Sequence, residues 1–285
     1  MSTNRYSPTI RRRRLAAELR RLREERGLTI EQLAQRLDWH PTKLSRVETG
    51  KQAVHPSEVR GLLDLLDTDP AQRDALVALA REARLRGWWR VFGEAVPDWF
   101  AVYVGLESEA TSMRLYESEF IPGLLQTEDY ARAVHQATRV GAREEEIKRL
   151  VDVRMARQEL LVGEGAPQLW IVLDEAVIRR RVGGPDVMRG QLKRLMEAAR
   201  LPNLTLQVLP FSVGAHAGMD GGFHILTFEP YADDVVYIEY RTGSFYLEKR
   251  WEIEQYSLVF DHLRAAALPM EASTALIAQV ADELL

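Results

Sequence analysis

Leu28–Lys51 reads LTIEQLAQRLDWHPTKLSRVETGK, two short helical patterns separated by a turn. Thr29 followed three residues later by Gln32 is a capping-box spacing, and Leu33, Ala34 and Leu37 supply an inward apolar stripe at helical period. The turn falls at Asp38, Trp39 and His40, where Asp tolerates the left-handed backbone region. Pro41 suits a first helical position, which makes His40 the N-cap and lets Trp39 pack on Leu44. From Pro41 to Thr49, Leu44 and Val47 face inward while Thr42, Lys43, Ser45 and Arg46 point outward. Gly50 then ends the helix as a left-handed C-cap, with Lys51 beyond it.

A short helix, a tight turn and a second helix with a polar, basic outer face have the layout of a helix-turn-helix DNA reader. Residues at the start of such a second helix reach base edges, and a guanidinium one turn later can grip guanine or clamp a phosphate. Thr42, Lys43, Ser45 and Arg46 are therefore the expected base-proximal set, with Lys51 placed to meet the backbone. An ordinary helical hairpin with a solvated charged face is the bland alternative, and it accounts for any one of these residues better than for the whole pattern.

Around this stretch the sequence predicts a five-helix domain. Arg11, Arg12, Arg13 and Arg14 open a helix that runs through Leu15, Leu19 and Leu22 to Gly27. Such a charge run is usually a solvated face; beside a DNA reader, Arg11 and Arg12 are expected at phosphates, where they add salt-dependent affinity. Val59, Leu62, Leu63 and Leu66 mark a fourth helix, and Asp69 with Pro70 cap and start a fifth ending near Arg84. Over about Ile10 to Arg84 the chain resembles the XRE family of lambda-repressor-like helix-turn-helix regulators, on LRRLREERGLT, IEQLAQRL and LSRVETGK. The resemblance implies that Gln32, Thr42, Lys43 and Arg46 fall on DNA-contacting positions. Asp38 stands where the family usually has Gly, and His40 where it usually has Ser or Thr.

Formal net charge is −4 over 285 residues, yet the halves differ: 19 Lys or Arg against 12 Asp or Glu through Arg90, then 19 against 30. The basic half suits DNA and the acidic half does not. The chain has no Cys, which excludes disulfides, thiolate metal sites and cysteine nucleophiles. With no signal peptide or long apolar run, a cytoplasmic location is expected, with no membrane association.

The expected organisation is a DNA-binding domain over 1–86, an aromatic linker over 87–98 and an α+β domain over 99–285. Trp88, Trp89 and Phe92, with Trp99 and Phe100, suit burial at a domain or subunit interface better than an aromatic ligand cage. Beyond them the pattern predicts a helix from Trp99 to Tyr116, a helix after Thr127, and a charged helix from Ala142 to Leu161. Another helix should carry Met188 to Ala199. Strands are expected at Gln168–Asp174, Leu204–Leu209, Gly222–Phe228 and Val235–Tyr240, with a fifth near Phe245; helices return from Trp251 to Ala267 and from Glu271. Strands clustered between helical runs predict an α+β domain with a small antiparallel or mixed sheet.

IPGLLQTEDYARA, LDEAVIRRRVGGPDVMRGQLKRL, LPFSVGAHAGMDGGF and VVYIEYRTGSFYLE resemble the C-terminal domain of actinobacterial, antitoxin-like XRE regulators. That resemblance implies a small protein partner. As an enzyme the domain offers only Asp174 with Glu175 at a strand end, and His216 and Asp220 in a Gly-rich loop. Helix capping and turn chemistry explain these residues more simply, so no catalytic residue is expected. Six scattered histidines show no metal-ligand spacing, and neither a metal nor another cofactor is expected. The Gly214–Gly222 loop reads as a surface turn before a ligand gate, and Tyr237, Tyr240, Tyr246, Glu239 and Glu248 fit a partner surface or a half-buried strand equally.

The expectation for function is a regulator that binds double-stranded DNA as a homodimer and is controlled through its C-terminal domain by a small protein. A small-molecule effector bound in a C-terminal pocket is the second reading.

Overall fold

The computed structural model describes residues 8–84, 92, 96–163, 165–228 and 233–284, with 8–10, 98 and 99 described in the backbone alone. Trp88 and Trp89 of the aromatic linker, and the Trp99 side chain, lie outside the described residues. The chain forms two compact units, the first holding the N-terminal helices and Val102–Glu109, the second holding Phe92–Ala101 and most of the chain after Ala110.

Among its described residues, the N-terminal part of the first unit forms five helices: α1 (Pro8–Glu25), α2 (Ile30–Arg36), α3 (Pro41–Glu48), α4 (Pro56–Leu65) and α5 (Pro70–Glu82). Their caps follow from local chemistry. Thr29 and Gln32 form the reciprocal capping box, and Asp69 Oδ2 accepts from the amides of Ala71 and Gln72. Leu19, Leu33, Leu44, Leu62 and Leu63 are fully buried in one core, with Trp39 packed at its margin. An α-helix of seven or eight residues is too short to persist alone, so α2 and α3 exist because this core takes their apolar faces.

Helix α6 (Asp98–Glu107) leads into a mixed six-stranded sheet of order β3-β2-β1-β4-β5-β6. The strands are β1 (Ser112–Glu117), β2 (Gln168–Asp174), β3 (Leu204–Leu209), β4 (Phe223–Thr227), β5 (Val235–Tyr240) and β6 (Gly243–Leu247). β1, β2 and β3 run parallel, and β4, β5 and β6 continue from β1 in antiparallel pairs. The helix expected from Trp99 to Tyr116 is corrected: it stops at Glu107, and Ser112–Glu117 is the strand where the parallel and antiparallel halves meet. Six residues are too few for periodicity to separate strand from helix, and pairing on both edges of β1 decides the matter.

The remaining helices are α7 (Glu128–Thr138), α8 (Glu144–Arg157), α9 (Glu175–Arg179), α10 (Pro185–Ala198), α11 (Arg250–Ala266) and α12 (Met270–Asp282). Phe260 of α11 packs with Tyr116, Val172, Phe223 and Ile225, while α12 lies against β3 and α10. Buried amides and hydroxyls tie these layers together. Gln191 accepts from Thr127 N at 2.7 Å and donates to Leu125 O at 2.8 Å. Gln207 accepts from the Trp170 indole at 2.7 Å, and Ser273 Oγ accepts from Val208 N at 2.9 Å. Each satisfies backbone groups that would otherwise be buried without a partner.

His135, in the last turn of α7, is also buried. Burial first, then the charges of Arg154, Arg139 and Arg157, push its pKa from 6.5 down to about 3. The folded state therefore binds fewer protons at this site than the unfolded chain, and stability should be fully present above pH 6.5 and lost as pH falls toward about 3. At about 1.4 kcal/mol per pKa unit the effect reaches a few kcal/mol. Chemical denaturation at stepped pH should show it in the wild type and much less in a His135→Gln variant; parallel pH profiles would rule it out.

Candidate nucleic-acid interface

Helix α3 is fixed at both ends by features of its own sequence. At its start Asp38 takes φ 54°, the left-handed turn that usually needs glycine, and the His40 ring accepts from Thr42 N at 3.3 Å. At its end Gly50 takes φ 69°, and a Cβ there would lie 3.5 Å from the Arg13 side chain of α1. Between them, Glu48 turns inward. Both of its oxygens accept from Arg23 of α1, at 2.8 and 2.9 Å, and Arg23 also donates to Leu28 O at 2.7 Å. The pair is buried, Arg23 at 7% and Glu48 at 6% exposure, and the Glu48 hydrogen bond raises the Arg23 pKa above its ordinary value against the opposing effect of burial.

With α3 held this way, its outer face is left to solvent. Thr42 and Arg46 are exposed and Ser45 is half-buried; among the described residues neither Arg46 nor Lys51, also exposed, is engaged in an ion pair. Lys43 is more constrained. Its ammonium donates to Glu58 Oε1 at 2.6 Å and sits 3.9 Å from the centre of the Trp39 ring, and that hydrogen bond holds the Glu58 carboxyl below its ordinary pKa. Gln32 is exposed, but its side-chain oxygen accepts from Thr29 N as part of the cap. Arg11 makes ion pairs with Glu82 at 2.9 Å and Glu109 at 3.7 Å, and Arg12 is half-buried, with burial lowering its pKa. The structure thus gathers Thr42, Ser45 and Arg46 on one open face and gives Lys43, Gln32 and Arg11 partners within the fold.

In the second unit, Asp174 and His216 come together: Asp174 Oδ2 is 3.6 Å from His216 Nε2. Their other bonds are structural, since Asp174 Oδ1 caps α9 by accepting from Ala176 N at 2.8 Å, and His216 Nδ1 accepts from Gly218 N. Glu175 accepts from Phe211 N and from Arg179, at 2.7 and 2.6 Å, and Asp220 is exposed. The glycine loop is packed down: a Cβ on Gly218 would overlap the Tyr116 ring. Among the described residues no group of three His, Asp or Glu is placed to hold a metal ion, and no helix is long and apolar enough to cross a membrane.

A capped, clamped second helix with an open polar face defines a helix-turn-helix DNA-binding protein, and residues 14–76 match the helix-turn-helix domain family. Residues 100–279 match the domain of unknown function DUF5753, and the chain belongs to that family. No curated protein and no solved structure matches it.

The Arg23–Glu48 pair was not foreseen, although Glu48 falls on the same inward stripe as Leu44 and Val47 and so requires a buried partner. Glu48→Ala leaves Arg23 charged and buried alone, and should destabilise the first unit by about 3 to 5 kcal/mol. Chemical denaturation reads this directly; a loss below about 1 kcal/mol would mean water has replaced the carboxylate at no great cost.

Proposed function

We propose that the protein is a sequence-specific transcription regulator of the XRE type, working as a homodimer and controlled through its second unit by a small, antitoxin-system-like protein partner. The observation that carries the DNA half is the open face of α3. Thr42, Ser45 and Arg46 form the reading set, Gln32, Lys43 and Lys51 flank it, and Arg12, with Arg11 once it leaves Glu82 and Glu109, adds positive charge beside the duplex. Arg46 is the residue with most freedom to make a bidentate contact to guanine.

One such domain reads only a few base pairs. A two-fold dimer on half-sites about one helical turn, roughly 34 Å, apart supplies the missing specificity. The protein partner is supported by the β5–β6 hairpin at the sheet's edge, where Tyr240 of β5 and Phe245 of β6 are exposed with ring centres 5.0 Å apart, and by exposed Trp251. An edge strand offers unpaired backbone groups, and aromatic residues beside it suit a protein contact. Asp174, Glu175 and His216 are engaged in a helix cap and in loop contacts, which supports a non-enzymatic role. A cytoplasmic location follows from a function exercised on DNA. Control by a small molecule is the second reading, favoured by an open cleft of about 380 Å3 lined by Thr138, Arg139, Glu146 and Arg241.

Arg46→Ala should weaken cognate binding by about 1 to 3 kcal/mol and leave random DNA almost unaffected. Equal weakening on both sequences would move Arg46 from base reading to phosphate contact. Genome-wide immunoprecipitation of a tagged copy should recover palindromic sites together with one small protein. Sites without a protein would favour the small-molecule reading, and no reproducible sites would overturn the assignment as a regulator.

A further inference from the structure

Lys43 is a cation on the outer face of α3 that another helix holds. Its ammonium lies between two anchors, Glu58 Oε1 at 2.6 Å and the centre of the Trp39 ring at 3.9 Å. Both anchors are fixed without it. Trp39 packs against the core of the first unit. Glu58 is the third residue of α4, where its Oε2 accepts from His55 N at 2.9 Å to complete a capping box. The His55 ring is held in turn by Ser57, whose hydroxyl lies 2.7 Å from Nδ1. The carboxylate therefore stands at the edge of α3 whether or not Lys43 reaches it.

The pair does little to hold the fold. Side-chain exposures of 32% for Lys43 and 35% for Glu58 leave both groups in contact with solvent, and an ion pair so exposed adds little net stability. The buried Arg23–Glu48 pair already fixes α3 against α1. What the exposed pair changes is the charge offered to DNA. A free cation that meets a phosphate releases a counterion and gains salt-dependent affinity. A lysine that must first leave a carboxylate returns a counterion to that carboxylate, so the net release is close to nothing. Arg46, one turn further along the same helix, is in no ion pair among the described residues and keeps its full effect.

We propose that Glu58 is a specificity-determining residue, which keeps Lys43 from the phosphates of random DNA and yields it only to a base edge with acceptors of its own. A guanine edge presents O6 and N7 side by side, and an ammonium at the start of α3 can exchange its carboxylate contact for both. A phosphate offers no such surplus, since it replaces one anion with another. Glu58 thus lowers affinity for every duplex and lowers it most for the wrong ones, which is how a competing contact produces discrimination. This rests on the DNA-binding reading of α3.

The test uses the full-length protein and a mixed-sequence duplex of about 30 base pairs, with binding followed by fluorescence anisotropy between about 50 and 200 mM salt. Glu58→Gln keeps the α4 cap, because glutamine serves the same capping-box position, and removes the charge that holds Lys43. It should bind this duplex about three- to tenfold tighter at low salt, with log K falling against log salt more steeply by about 0.9. In a Lys43→Gln background the same substitution should leave the slope where it was. An unchanged slope in Glu58→Gln, or equal steepening with and without Lys43, would overturn the proposal. On a duplex selected by the wild type from a randomised library, Glu58→Gln should gain less than on the mixed sequence, and an equal gain on both would overturn the part assigned to specificity. No binding of either duplex by the wild type or the variants at low salt would instead overturn the DNA-binding reading itself.

Discussion

The first unit depends on one buried ion pair. Helix α3 has eight residues, and its length gives it no independent stability. Leu44 and Val47 bury an apolar face, but apolar contact is non-directional and tolerates small rotations of a short helix. The paired hydrogen bonds between Arg23 and Glu48 do not tolerate them, because each has its own distance and direction. The third bond, from Arg23 to Leu28 O, ties the same guanidinium to the residue just before the α2 cap. A single side chain of α1 thereby positions the end of α3 and the entry to α2. Fixed orientation is what a reading helix needs, since a base contact is lost with a displacement of about 1 Å.

Much of this architecture was legible in the sequence because it rests on local rules. The Thr29 capping box, the His40 and Asp69 caps, the left-handed turn at Asp38 and the Gly50 terminus each depend on a few adjacent residues. Five strands and the later helices of the second unit fall close to where their apolar patterns placed them. What escaped was non-local. β1 is a strand because β2 and β4 pair with it, and nothing within Ser112–Glu117 says so. Arg23 and Glu48 are 25 residues apart and look like ordinary members of charged helices until their places on the inward stripes are counted.

The second unit shows how much structural work residues of catalytic type can do. Asp174, Glu175 and His216 do converge, as an active site would require. Each of these groups also makes bonds that hold the fold. One Asp174 oxygen serves a helix cap, both Glu175 oxygens accept from other groups, and His216 accepts from its own loop. The glycines of that loop answer a packing need, since Gly218 closes on the Tyr116 ring with no space for a side chain.

The contrast with His135 makes the same point in reverse. No sequence pattern marks it, for it lies among Val134, Gln136 and Ala137 in a plain amphipathic helix. Yet it keeps a ring nitrogen without a partner, beside arginines that sit in a half of the chain carrying an excess of acidic residues. Burial beside Arg139, Arg154 and Arg157 disfavours its charged form, and its pKa falls to about 3. Burial and neighbouring positive charge act in the same direction on the ring, and neither can be read from residue type alone.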